Sequence, residues 1–169
     1  SLSLQSSFQL ASVSKQFTAA AILLLVQQNK LNLTDSIRKF FPDLPCVNVT
    51  VHDLLAHRAG LEKYTNICDN YYREKKVDPP ANFTNDSVIA LFTRLNKKCY
   101  RKSGEKFEYS NTGYVLLASI VEKVSAMKFH SFMEVNFFDP IGMKHSLING
   151  DGVEHPHLTR GYFITWNRW

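Results

Sequence analysis

Apolar residues recur along this chain mainly at helical spacing, and they predict a series of helices joined by polar stretches. The first runs from about Ser12 to Asn29; its middle, Ala19 to Val26, is apolar on every side, which predicts burial on every side. Thr50 is placed to cap a second, short helix with Leu54 and Leu55 facing inward and Gly60 ending it. A third covers about Asp86 to Leu95, capped by Thr84 or Asn85. A fourth, from about Thr112 to Ser125, lines up Tyr114, Leu117, Ala118 and Val121 on one stripe. A fifth, from about Phe129 to Phe138, must stop before Asp139-Pro140, because a proline ring disfavours helical backbone in the residue ahead of it.

Between the second and third helices the pattern fails. Glu62 to Asn82 is polar and rich in Asn and Lys, with Pro79-Pro80 inside it, and reads as a long irregular excursion. Strand signals are sparse: Val47 to Val51, and the aromatic stretch Tyr162 to Trp166. At 169 residues the expectation is one domain, mostly helical in this stretch of chain.

Composition removes several function classes. Hydrophobic residues at 44% and charged residues at 21% are ordinary for a globular protein, which argues against disorder or a fibrous chain. The net charge of +5 invites a nucleic-acid partner. The basic residues are nevertheless scattered, with only short pairs at Lys75-Lys76, Lys97-Lys98 and Arg101-Lys102, so no nucleic acid is expected. Ala19 to Val26 is too short to cross a bilayer, which needs about 20 apolar residues, and no basic leader precedes it. Cys46, Cys68 and Cys99 lack CxxC spacing, so zinc and thioredoxin-like redox sites are disfavoured while one internal disulfide stays open. His155 and His157 lie two apart without an evident third ligand, and no metal or cofactor is expected. Sequons at Asn32, Asn48, Asn82 and Asn85 matter only in a eukaryotic secreted protein.

The candidate chemistry begins at Ser12-Val13-Ser14-Lys15. Residues three apart on a helix share a face, so a lysine there can receive a serine proton where its amine is neutral. A serine at a helix start also gains unpaired N–H groups and the positive dipole end for a developing oxyanion. The spacing alone is unspecific, since Ser36/Lys39, Ser103/Lys106 and Ser125/Lys128 repeat it. Only Ser12 opens a wholly apolar helix, which would bury the pair at the centre of a domain.

Phe8-x-Leu10-Ala11-Ser12-Val13-Ser14-Lys15-Gln16-Phe17-Thr18-Ala19 resembles the active-site helix of the serine β-lactamase and penicillin-binding-protein family, in particular class C β-lactamase-like esterases and D-amino-acid peptidases. Further blocks follow in the family's order: Lys30-Leu31-Asn32-Leu33-Thr34-Asp35, Phe41-Pro42, Thr50-Val51-x-Asp53-Leu54-Leu55-x-His57-x-x-Gly60-Leu61, Gly104-x-x-Phe107-x-Tyr109-Ser110-Asn111-x-Gly113-Tyr114, and Pro140-Ile141-Gly142-Met143. The resemblance implies an α+β, β-lactamase/transpeptidase-like fold, with this chain supplying mostly its helical region and lacking most of the sheet strands. It implies acyl transfer with Ser12 as nucleophile, Lys15 as general base, Tyr109 as proton relay and Asn111 orienting Lys15 and the substrate, which would be a β-lactam, an ester or a D-amino-acid peptide.

Tyr64-Thr65-Asn66 repeats the Y-x-N spacing; Tyr109 is preferred because Gly104 and Phe107 precede it and the Tyr114 helix follows, and Asn111 is expected to cap that helix. The family's third element, Lys-Thr/Ser-Gly or His-x-Gly on a strand beyond Y-x-N, has no counterpart here. Lys102-Ser103-Gly104 comes too early and belongs to the turn before Tyr109. The chain is therefore expected to be an incomplete hydrolase domain, inactive alone, in a periplasmic or secreted protein with a cytoplasmic one as the alternative, and a companion chain is one candidate source of the missing strands. Loss of one oxyanion donor alone costs roughly 10²–10³ in rate. The alternative is a silent relative that uses the same groove for binding or assembly.

Overall fold

In the computed structural model, residues 3, 6–46, 48–78, 84–96, 99–148 and 158–159 are described. Among the described residues six α-helices form the frame: α1 (Lys15–Gln27), α2 (Val51–Leu55), α3 (Tyr64–Lys75), α4 (Asn85–Arg94), α5 (Asn111–Ser125) and α6 (Phe129–Met133). α5 is the central element. α1, α2, α4 and α6 all pack against it, while α3 packs against α4. Its Leu116, Leu117, Ile120 and Val121 meet Ala21, Ile22 and Leu25 of α1, Leu54 of α2 and Leu91 and Phe92 of α4 in one continuous apolar core.

The helix starts follow their capping chemistry. Thr50 and Asp53 form a reciprocal capping box for α2, and Thr84 with Ser87 does the same for α4, which settles the choice between Thr84 and Asn85. Phe129 to Phe138 is one helical run, with a π-helical turn at Glu134–Phe138 after α6.

Four expectations are corrected. The middle of α1 is not buried on every side: Ala21, Ile22 and Leu25 are fully buried, but Leu23 is 52% exposed, because the described residues pack on one flank only. The supposed excursion after Glu62 contains α3, whose Tyr64, Ile67, Cys68, Tyr71 and Tyr72 recur at helical spacing and join the core. No strand forms over 47–51 among the described residues. Ser36 and Thr50 make an isolated antiparallel bridge, flanked by Ile37 N–H to Val49 O at 2.9 Å and Val51 N–H to Asp35 O at 3.0 Å, and Val51 already begins α2. Gly60 does not end α2. The helix stops at Leu55, and His57 takes the left-handed position at φ 55°. Gly60 serves a close approach instead, since a Cβ there would sit 2.6 Å from the Arg101 carbonyl oxygen.

Cys46 and Cys99 form a disulfide with Cα atoms 5.3 Å apart, and Cys68 is a buried free thiol. Val47, Pro79-Pro80, Asn82, Lys97-Lys98, the pair His155 and His157, and Tyr162 to Trp166 lie outside the described residues. Among the described residues, no helix is long and apolar enough to cross a membrane.

Candidate active site

Ser12 lies in a 3₁₀ turn, Ala11–Ser14, that runs directly into α1. The preceding Ala11 has φ 45°, a left-handed conformation that costs an alanine about 1–2 kcal/mol and that often accompanies functional turns. Among the described residues Ser12 is exposed and Lys15 half-buried. The reason is the one-sided packing of α1, whose first turn lies at the edge of the core. Lys15 still reaches back one helical turn, its Nζ donating to Ser12 Oγ at 3.2 Å.

Tyr109 arrives from 97 positions further along the chain and donates its hydroxyl to the same Ser12 oxygen at 2.6 Å. The Lys15 ammonium also lies over the Tyr109 ring at 4.9 Å and the Tyr114 ring at 5.6 Å. The Lys15 hydrogen bond, followed by that to Ser12, lowers the Tyr109 phenol below its ordinary value, against a smaller opposing effect of burial. Tyr114 moves the other way: burial raises it, and neighbouring Tyr109 adds to the rise.

The segment that delivers Tyr109 lies along the turn following α2. Tyr100 N–H donates to Gly60 O at 3.1 Å, Gly104 N–H to Arg58 O at 2.9 Å and Glu108 N–H to His57 O at 2.7 Å. Arg101 and Glu108 close an ion pair at 2.8 Å on that segment. The next residue, Ser110, is extended and buried, and it caps α5 by accepting the Gly113 N–H at 3.1 Å. The cap is therefore Ser110 and not Asn111. Asn111 is the first residue of α5, exposed, with no hydrogen bond to the other three site residues among the described residues.

The sequence look-alikes lie elsewhere. Ser36 caps a short 3₁₀ turn while Lys39 pairs with Asp35 at 2.9 Å, and Ser125 donates to Val121 O inside α5. Tyr64 begins α3, its N–H bound to Thr112 Oγ1 at 2.9 Å. Lys102-Ser103-Gly104 is part of the turn ahead of Tyr109, as its position implied.

From the sequence His57 is expected only to pack or hydrogen-bond around α2, with no part in the site. Its ring is 4.6 Å from that of Tyr109 and 5.0 Å from that of Tyr114, and its Nδ1 accepts the Ser110 N–H at 3.0 Å. The available signal was its place in the Leu54-Leu55-x-His57-x-x-Gly60 block, which carries no chemistry by itself. Among the described residues, no three His, Cys, Asp or Glu side chains gather as metal ligands.

Helices arranged around α5, with a serine, a lysine and a tyrosine meeting at one edge, are the helical part of a β-lactamase/transpeptidase-like fold. The family model described as Beta-lactamase matches residues 2–165. The chain belongs to the beta-lactamase family, a family of serine hydrolases. Penicillin-binding protein 4* of Bacillus subtilis (strain 168) is 34% identical over 147 residues, 87% of this chain and 32% of that protein. A penicillin-binding protein from Bacillus halodurans superposes with a TM-score of 0.78 at 30% identity, over 94% of this chain and 47% of its own. The D-amino acid amidase from Ochrobactrum anthropi SV3, complexed with D-phenylalanine, gives a TM-score of 0.68 at 28% identity, over 85% and 45%. The chain spans about a third of the length of the curated relatives it matches.

Proposed function

We propose that the protein containing this chain is an acyl-transferring serine hydrolase in which Ser12 attacks a carbonyl and becomes transiently esterified. The observation that carries this reading is the convergence of Tyr109 Oη and Lys15 Nζ on Ser12 Oγ, at 2.6 and 3.2 Å. Both contacts are within proton-transfer reach.

Lys15 and Tyr109 act as one base. With one proton fewer than full protonation, the amine–phenol pair accepts the Ser12 proton as Oγ bonds to the carbonyl carbon. Tyr109, at the shorter distance, relays that proton to the departing amine or alkoxide as the scissile bond breaks. Lys15 serves as the general base of the pair while its amine is neutral, and once it holds the proton its positive charge stabilises the phenolate. Water then attacks the ester by the reverse route, releasing the acid and restoring Ser12. Asn111, two residues beyond Tyr109, orients the acyl side chain. A D-amino-acid amide or peptide, a β-lactam or a short ester presents the carbonyl this sequence needs; the first two gain support from the D-amino acid amidase and penicillin-binding relatives. The chain contributes to a single domain, and the Cys46–Cys99 disulfide supports a periplasmic or secreted compartment.

The test is covalent labelling of the complete protein with a serine-directed fluorophosphonate and with a penicillin, followed by peptide mass spectrometry. The adduct is expected on Ser12, and Ser12→Ala should lower turnover on the order of 10⁴-fold or more. A folded protein whose Ser12 stays unmodified by both reagents would overturn the assignment.

A further inference from the structure

His57 lies beneath the Tyr109 ring and is bound to the backbone one residue further on. Its backbone is fixed in the left-handed region at φ 55°, and its carbonyl accepts the Glu108 N–H at 2.7 Å. Its Nδ1 accepts the Ser110 N–H at 3.0 Å. Tyr109, between these two anchored residues, is thus clamped to one residue on both sides. The imidazole lies between the phenol rings of Tyr109 and Tyr114, tilted by 33° and 32°, and Phe107 meets its edge at 5.8 Å.

We propose that His57 is the positioning residue of this site, holding the Tyr109 oxygen over Ser12, and that it does so only as neutral imidazole with its proton on Nε2. An Nδ1 that accepts a backbone N–H has no proton of its own, so the neutral ring must carry its hydrogen on Nε2. Protonating Nδ1 sets two donors against each other and releases Ser110, the cap residue of α5 and the neighbour of Tyr109. The charged group facing the ring opposes that protonation. Lys15 of α1 brings a positive charge near it, while Tyr109 and Tyr114 offer aromatic faces and no carboxylate. Burial first, and Lys15 second, hold His57 below its ordinary value. The clamp is therefore engaged at neutral pH and opens only in acid.

This inference rests on the acyl-transfer reading for its catalytic meaning, but its geometric content can be measured without turnover. The experiment compares His57→Leu and His57→Asn in the complete protein. Asn tolerates positive φ and places Oδ1 near the former Nδ1, so it retains the acceptor but cannot titrate. In ¹³C NMR of labelled tyrosine, Tyr109 should titrate below its ordinary value in the wild type and in His57→Asn. It should return to the ordinary range in His57→Leu, where the phenol drifts from Lys15 and Ser12.

Labelling of Ser12 should slow roughly 10²-fold in His57→Leu, the scale of an ångström's misplacement, with most of the rate recovered in His57→Asn. The fall in rate at acid pH should lose, in His57→Asn, the extra proton dependence that the wild type has. An unchanged Tyr109 titration in folded His57→Leu overturns the clamp, and so does an acid limb in His57→Asn as steep as in the wild type. Failure of Ser12 to label in the wild type would count against the acyl-transfer reading alone, because the tyrosine titration decides the clamp separately.

Discussion

Tyr64-Thr65-Asn66 and Tyr109-Ser110-Asn111 share a spacing and both stand at helix starts, yet only one delivers a phenol to Ser12. The first triplet lies inside α3, whose N-cap, Lys63, makes no side-chain capping bond; the Tyr64 N–H is received by Thr112 of α5 instead. Being helical throughout, it turns Tyr64 toward the apolar core. In the second, Ser110 is extended at φ −134° and ψ 116° and caps α5, so Tyr109 precedes the helix on extended backbone and remains 45% exposed. The clamp at His57 exists only there. A three-residue motif acquires its chemistry from the backbone it adopts and from what grips that backbone on either side.

The largest effect that separates the two follows from removing each hydroxyl. Tyr109→Phe should slow Ser12 acylation by about 10²–10⁴, the usual weight of a positioned general acid–base group. Its pH dependence sharpens the point. A phenol that acts as a base must lose its proton, so the rate should rise with pH and level off above a midpoint below the ordinary 10.0 of tyrosine, since Lys15 and Ser12 lower it. Tyr109→Phe should remove that midpoint. A pH–rate profile unchanged by the substitution would deny Tyr109 any share in proton transfer.

Much of this arrangement is legible in the residues. Thr50 and Thr84 announce their helices because a hydroxyl at an N-cap satisfies backbone donors wherever the chain later packs, and Ser12 and Lys15 meet because helical spacing alone brings them together. What escapes is decided by distant contacts. α3 is masked by its Asn and Lys residues, and its aromatic stripe matters only because α4 and the core receive it. α2 is followed by left-handed His57, where Gly60 was the expected stop, and α3 and α5 by left-handed Lys76 and Ala126, since tertiary contacts can impose that conformation on residues other than glycine. Ser110 was overlooked as a cap because Asn111 beside it is an equally good capping residue, and only the backbone of the delivered segment chooses. Nothing local marks His57, because its role depends on residues about fifty positions away.

The disulfide offers a second contrast of intermediate size. Cys46 and Cys99 enclose a loop with a sequence separation of 53 that contains Tyr64 and α3 but not Tyr109. Replacing both cysteines by serine should cost about 4 kcal/mol of stability, from the chain entropy restored to the unfolded state. Denaturant unfolding of the complete protein would read this as a lower midpoint. Labelling of Ser12 under native conditions should change far less, because Tyr109 remains tied through His57, Arg58 and Gly60. A parallel collapse of stability and labelling would mean that the delivered segment depends on the disulfide after all.

The smallest effect is expected from Tyr64→Phe, and its smallness is what makes it informative. Tyr64 is packed against the core through its ring, and its phenol makes no hydrogen bond among the described residues. Phe preserves the ring area that is buried, so stability should stay within about 0.5 kcal/mol. The contact that matters to α3 is the Tyr64 backbone N–H to Thr112, which the substitution leaves intact. Acylation of Ser12 should stay within about twofold, while the same chemical change at Tyr109 costs orders of magnitude. A Tyr64→Phe protein that labelled tenfold more slowly would place the second phenol in the reaction and show that capping and delivery do not explain the choice between the two triplets.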